Sequence, residues 1–447
     1  MWLRQVSLFA GWLPSIVAIV AWTAFAAGVA WQARAAWQWL LIAVGALVTA
    51  QIVAWVLARF GVPGGYPQSF IVWGALPLFA SAAALWQSRL VRWWRTTVAL
   101  VAVVALAAFG ALQVNAHYAY LPTLGDLVGA PFPGQVGARQ LDGTANLVEA
   151  RSRLLQFRKS RLGVVTEMDI PAPRSHFHHR PAWVWLPPSY FSYPRVQLPV
   201  LMLLSGTPGN PADWLRGDGA LKVANAWAVA HHGTAPIMVF PDPNGSFLGD
   251  TECVDGPTGR AETYLSVDVP AFVHAHFHAS LNPRQWAIAG LSEGGTCALD
   301  LVARHPDRFS TFGDFSGDLA PNLGSPNATL HDLYGGSPRA ELAHNPTNWF
   351  AIDTTAGVAG YLAAGAHDHS ALTSEQYIAN AARHDHMPIR LTVIPGAGHN
   401  FRTWTHALRD AYPWIVNRID QPTTPNSTQR ANPIHAVTTA QHHPIHS

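Results

Sequence analysis

The sequence predicts a mostly parallel α/β domain that follows a bundle of four membrane-spanning helices. Two observations set this outline. No carboxylate occurs before Asp126, and beyond it acids and bases mix normally while short apolar runs alternate with helix-like stretches. A third locates the chemistry: Gly290-Leu291-Ser292-Glu293-Gly294 stands between an apolar run ending at Ala289 and a helical pattern from Thr296 to Arg304. With 49% apolar and 12% charged residues, the 447-residue chain is too apolar on average for an ordinary soluble protein. The net charge of +2, with no basic run interleaved with aromatics after residue 120, argues against a nucleic-acid partner.

Residues 1–120 read as the membrane domain. Uncharged segments at 8–31, 37–57, 69–86 and 97–116 are each long enough, at about 1.5 Å per residue, to cross a hydrocarbon core of about 30 Å. Trp31, Trp37, Trp39, Trp86, Trp93 and Trp94 gather at the segment ends, where an amphipathic ring prefers the headgroup layer. The first segment is too long for a cleaved signal peptide, lacks a basic cluster and is followed by three more spans. The only charges are six arginines. With the C-terminal part outside the cell, Arg34, Arg89, Arg92 and Arg95 fall in cytoplasmic loops, against Arg4 and Arg59 outside, as the positive-inside rule prefers. No carboxylate, lysine or histidine sits mid-span, so ion or proton transport is not indicated and the helices read as an anchor.

The Gly- and Pro-rich stretch 121–143 reads as a linker, and 144–420 as the globular domain. Apolar runs at 163–170 and 181–186 predict a hairpin, closed by Pro187 and Pro188, and further runs at 196–204, 236–240, 285–289, 360–364 and 389–394 predict strands separated by helices. Strands alternating with helices imply a parallel sheet covered on both faces. The tail, 421–447, is rich in Thr, Pro, His, Asn and Gln, and disorder is expected there. Cys253 and Cys297 are the only cysteines. Outside the cytoplasm they can form one disulfide; two buried free thiols are the alternative.

The pentapeptide around Ser292 is a nucleophile elbow, Gly-x-Ser-x-Gly, in which a strained strand-to-helix turn thrusts the serine hydroxyl outward and the glycines leave room for neighbouring chain. With it, Leu201-Met-Leu-Leu-Ser-Gly-Thr207 and Asp213-Trp214, Glu262-Thr-Tyr-Leu-Ser-Val-Asp-Val-Pro270, His305-Pro306-Asp-Arg-Phe309, and Gly396-Ala-Gly-His-Asn-Phe-Arg-Thr-Trp404 follow in order. Over 163–412 the chain resembles the esterase D group of α/β-hydrolases, which includes S-formylglutathione hydrolases, enterobactin esterases, feruloyl esterases and the antigen 85 mycolyltransferases. The resemblance implies an α/β-hydrolase fold and a serine, acid, histidine order of catalytic residues. Ser292 is then the nucleophile and His399 the base, with His406 its nearest rival. Asp368, in Gly365-Ala-His-Asp368, is the first choice of acid; Glu375 is the alternative, because antigen 85 proteins place a glutamate in the following helix. Asp385 reads as a solvated helix end. The oxyanion hole is expected from the amides of Glu293 and Thr207. Neither the motifs nor the resemblance calls for a cofactor.

His274, His276 and His278 invite a zinc reading, but no acidic residue interrupts them, and an exposed structural helix is preferred. His367, His369, His384 and His386 flank the expected acid without a defined role. A serine esterase held at the outer membrane face is expected to act on lipid or envelope esters. Acyl transfer of the antigen 85 type is an alternative, disfavoured because Pro208 stands where antigen 85 has arginine and Glu293-Gly294-Gly295 stand where small residues follow its serine. Cleavage of aminoacyl groups from lipids also fits, as does, from another class, a non-catalytic membrane scaffold. The sequence carries no signal of oligomeric state.

Overall fold

The structure is a computed structural model that describes residues 2–30, 36–58, 67–87, 93–141, 162–191, 197–345 and 357–420. The expected disordered tail, the segment 144–161, and Arg34, Arg59, Arg89 and Arg92 lie outside the described residues.

Four N-terminal helices form: α1 (Trp12–Ala30), α2 (Ala36–Ala58), α3 (Gln68–Gln87) and α4 (Trp93–Tyr118). Small residues set their spacing. At Gly110 of α4 a Cβ would lie 3.2 Å from the Trp73 carbonyl oxygen of α3, and at Gly74 of α3 it would lie 3.9 Å from the Ala50 Cβ of α2. Packing runs α2 on α3, α3 on α4 and α4 on α1, so α2 and α4 flank α3. Among the described residues three helices, α1, α2 and α4, are long and apolar enough by length and composition to cross a membrane; in the 20-residue α3 the described apolar stretch is Gln68–Ala83. Pro77 lies inside α3, where it removes a backbone donor.

The segment read as a linker is instead built into the junction. Backbone bonds run from Leu8 to the Pro122 carbonyl at 3.0 Å and from Leu124 to the Val6 carbonyl at 2.8 Å. A one-turn helix, Leu124–Leu127, is closed by a reciprocal Thr123–Asp126 capping box. The Arg4 guanidinium pairs with the Asp126 carboxylate at 2.8 Å, and the Gly217 amide donates to Asp126 at 3.3 Å. Tyr120 donates its hydroxyl to Asp213 at 3.0 Å and accepts from Asn210 at 3.1 Å. A bundle merely tethered to a domain would not carry buried polar joints of this kind, each worth about 1 kcal/mol net.

The same segment supplies the first strand, β1 (Gln135–Gly137), of a nine-stranded sheet. The others are β2 (Val164–Met168), β3 (Ala182–Leu186), β4 (Val200–Leu204), β5 (Ile237–Phe240), β8 (Trp286–Leu291), β9 (Thr311–Phe315), β10 (Ala359–Gly365) and β11 (Ile389–Ile394); β6 (Asp255–Gly256) and β7 (Gly259–Arg260) make a separate two-stranded ribbon. The sheet order is β1-β2-β3-β5-β4-β8-β9-β10-β11, with β3 antiparallel to both neighbours and the rest pairing in parallel. Alternate residues divide between two cores. Val200, Met202, Leu204, Ile288 and Phe312 face one layer with Leu299 and Leu301, while Leu201, Leu203, Ala287, Ala289 and Phe315 face the other with Leu408 and Ile415. The longer helices that cover the sheet are α5 (Gly219–Ala230), α6 (Val269–Phe277), α7 (Glu293–Arg304), α8 (His369–His384) and α9 (Phe401–Ile419). The strand at Thr311–Phe315 was not expected from the sequence, and Cys253 and Cys297 are joined in a disulfide.

Candidate active site

Ser292 occupies the single residue between β8 and α7, at φ 53° and ψ −127°, a strained conformation for a residue with a side chain. Its neighbours allow it. A Cβ at Gly290 would overlap the Gly294 carbonyl, and one at Gly294 would overlap the carbonyls of Leu204 and Ser205. The Ser292 amide donates to the Phe315 carbonyl at 2.9 Å, which pins the turn to β9. The α7 N-terminus lies directly behind the hydroxyl, so its partial positive charge falls on the place where a reacting oxygen would sit.

The loops after β10 and β11 bring two more side chains to Ser292. The Ala366 amide donates to the Ile394 carbonyl at 2.9 Å and the His367 amide to the Ala397 carbonyl at 2.8 Å, so the two loops are tied together. His399 and Asp368 stand on them. Ser292 Oγ lies 2.9 Å from His399 Nε2, and His399 Nδ1 lies 2.8 Å from Asp368 Oδ2. The carboxylate accepts from Nδ1–H, which leaves Nε2 free to accept the serine proton. Trp404 meets the imidazole edge to face with centroids 4.9 Å apart, and Asn400 caps α9 through the amides of Arg402 and Thr403.

The other expected residues fall elsewhere. Glu375 is fully buried in α8, and no described hydrogen bond joins it to His399. Burial and the charge of neighbouring Asp314 push its pKa well above the ordinary carboxylate value. His406 pairs with Asp410 at 3.2 Å on α9. Asp385 ends α8. His274 Nδ1 bonds the Ala279 carbonyl at 2.8 Å, and His276 stacks on Phe272. Among the described residues no group of three His, Cys, Asp or Glu side chains is placed to hold a metal ion.

Two residues flank Ser292 from the β4 and α7 sides. Gly206 runs so close that its Cβ would lie 3.0 Å from the Ser292 Cβ. Among the described residues neither the Thr207 amide nor the Glu293 amide donates to a protein acceptor. Their side chains, by contrast, are locked together: Thr207 Oγ1 lies 2.5 Å from Glu293 Oε2, and Asn244 Nδ2 donates to Glu293 Oε2 at 2.7 Å and to Thr207 Oγ1 at 2.8 Å. Thr207 Oγ1 also donates to the Gly249 carbonyl at 2.7 Å. One hydroxyl hydrogen cannot serve both Gly249 and Glu293. Burial, and then the charge of Asp250, push the Glu293 pKa up to about 8, so at neutral pH it carries a proton that it can donate to Thr207. This glutamate's structural part, and that of Asn244, were not legible in the sequence.

The Esterase family model matches residues 178–415, which is more than half of the chain. The chain belongs to the Esterase family. An uncharacterized protein of Corynebacterium glutamicum is 30% identical over 401 residues, covering 86% of this chain and 90% of its own length, so the likeness reaches beyond the esterase domain into the helical bundle. Among solved structures, an S-formylglutathione hydrolase from Agrobacterium tumefaciens is similar with TM-score 0.47 and 18% identity, covering 58% of this chain and 97% of its own. MPT51 of Mycobacterium tuberculosis is similar with TM-score 0.43 and 19% identity, covering 56% of this chain and 97% of its own. The esterase domain is an α/β-hydrolase, and the chain is a serine carboxylic ester hydrolase.

Proposed function

We propose that the protein is a membrane-anchored ester hydrolase in which Ser292 is the nucleophile, His399 the general base and acid, and Asp368 the orienting carboxylate. His399 Nε2 takes the Ser292 proton as Oγ attacks the ester carbonyl carbon. The tetrahedral oxyanion is received by the amides of Thr207 and Glu293, each worth about 3 kcal/mol in the transition state. Collapse breaks the ester C–O bond, the imidazolium returns its proton to the leaving alkoxide, and an acyl group remains on Ser292. Water, deprotonated by His399, attacks the acyl-enzyme, and the carboxylic acid leaves as the proton returns to Ser292 Oγ. The interlocked Thr207 and Glu293 side chains hold the two amides in place before charge develops, which is where such donors gain over water. The observation that carries this reading is the continuous set of contacts Ser292–His399–Asp368 at 2.9 and 2.8 Å.

The catalytic domain is assigned to the extracytoplasmic side. The Cys253–Cys297 disulfide supports that side, because such bonds persist in oxidising compartments. So does the arginine bias of the loops. Hydrolysis of p-nitrophenyl butyrate by the full-length protein in detergent tests the chemistry. Wild type turns it over, and Ser292→Ala lowers kcat by about 10⁴-fold or more; a Ser292→Ala variant as active as wild type would remove the assignment. Product analysis with an added sugar acceptor separates hydrolysis from acyl transfer.

A further inference from the structure

A single apolar cavity joins the bundle to the reacting serine. Its volume is about 870 Å³, within the range of roughly 300–1,000 Å³ typical of small-molecule sites. At one end stand Ser292, His399 and Thr207; at the other, Val53 of α2, Gly74 of α3 and Ala111 of α4. The floor is α3 and the walls are α2 and α4. Polar groups along the way are already engaged. Asn115 exchanges both amide bonds with the Leu121 backbone at 2.7 and 2.8 Å, and Tyr120 is held by Asp213 and Asn210. Apart from the Tyr118 hydroxyl, what remains along the bundle to meet a ligand is hydrocarbon. Val53 of α2 lines the cavity and is 50% exposed, so it presents hydrocarbon surface that no other side chain covers.

Resting on the reading of Ser292 as nucleophile, we infer that the bundle is one half of the substrate site. A membrane lipid ester lies with a hydrocarbon chain in the groove over α3, between α2 and α4, and presents its ester carbonyl to Ser292. The occupant is argued from continuity. The groove begins at the nucleophile, is apolar over most of its lining, and is made of helices that themselves sit in hydrocarbon, so a lipid chain passes from bilayer to site without crossing water. The polar joints of Tyr120 and Asp126 to the esterase domain hold the two ends of that groove in register.

The test uses full-length protein in detergent micelles and two fluorophosphonates, one with a short alkyl chain and one with a hexadecyl chain carrying a terminal diazirine. Both are expected to label Ser292. After irradiation, the long probe is expected to cross-link to peptides of α2, α3 or α4. Ala111→Phe, which fills the groove, is expected to slow labelling by the long probe relative to the short one by at least about tenfold, equivalent to roughly two buried methylenes of contact. Val104→Phe, at a residue of α4 that is 68% exposed and outside the groove, is expected to leave that ratio unchanged. Cross-links confined to residues 197–420, or an unchanged ratio in Ala111→Phe, would overturn the lipid groove while leaving the nucleophile standing. Failure of the short probe to label Ser292 would remove the nucleophile and the groove proposal with it.

Discussion

Asp368 and Glu375 show how burial decides which of two nearby carboxyls can work. Asp368 immediately precedes α8, has 8% of its surface exposed and bonds His399, whereas Glu375, within that helix, is 0% exposed and its pKa is pushed well up by burial and then by the charge of Asp314. Sequence spacing allowed either; only the tied loops after β10 and β11 separate them. Asp368→Asn is expected to lower kcat on a short ester by about 10⁴-fold through loss of the correct tautomer. Glu375→Gln is expected to stay within about an order of magnitude of wild type, and steady-state kinetics on the two variants checks the pair. Glu293 has a different signature. Its pKa of about 8 lies above the ordinary carboxylate value, so the folded state binds a proton that the unfolded state has lost. Stability from this group is full below the unfolded pKa and is lost as pH rises towards about 8; Asp314, pushed up to about 7 chiefly by burial, acts in the same direction. The thermal midpoint is therefore expected to fall between about pH 5 and about pH 8, and Glu293→Gln, which mimics the protonated acid, is expected to flatten part of that slope.

At the scale of elements, helix α7 is fixed from two directions. The disulfide from Cys297 to Cys253, with both residues fully buried and Cα atoms 5.5 Å apart, ties it to the loop after β5, and β9 accepts the elbow amide. Replacing Cys253 and Cys297 together by alanine is expected to destabilise the domain by about 2–4 kcal/mol, read from the thermal midpoint under matched detergent conditions. Most strands were legible because parallel strands buried on both faces read as apolar runs. β9 was not, since Gly313 and Asp314 interrupt its pattern. Both have tertiary reasons that local sequence does not carry: a Cβ at Gly313 would lie 2.8 Å from the Ala289 Cβ on β8, and buried Asp314 accepts from the Gly317 amide at 2.9 Å. β1 was hidden likewise inside a Gly- and Pro-rich stretch whose composition signals only irregular chain.

At the scale of the whole molecule, the sequence separated a helical bundle from an esterase domain but treated them as anchor and enzyme. The joints at their boundary, Arg4 with Asp126 and Tyr120 with Asp213, link residues far apart in the chain and leave no local pattern. The structure instead makes one body whose apolar groove ends at Ser292. If the domain faces outward, Leu281→Cys, at a position 69% exposed, is expected to react with a membrane-impermeant maleimide in intact cells, whereas Ser88→Cys reacts only after permeabilisation; the reverse pattern would invert the topology. The most direct measurement of the central claim is peptide mass spectrometry of full-length protein treated with a short-chain fluorophosphonate. The account predicts a single adduct on the peptide containing Ser292, absent in Ser292→Ala and formed far more slowly in His399→Ala. Folded protein that takes up no label at Ser292, or labels equally fast without His399, would contradict it.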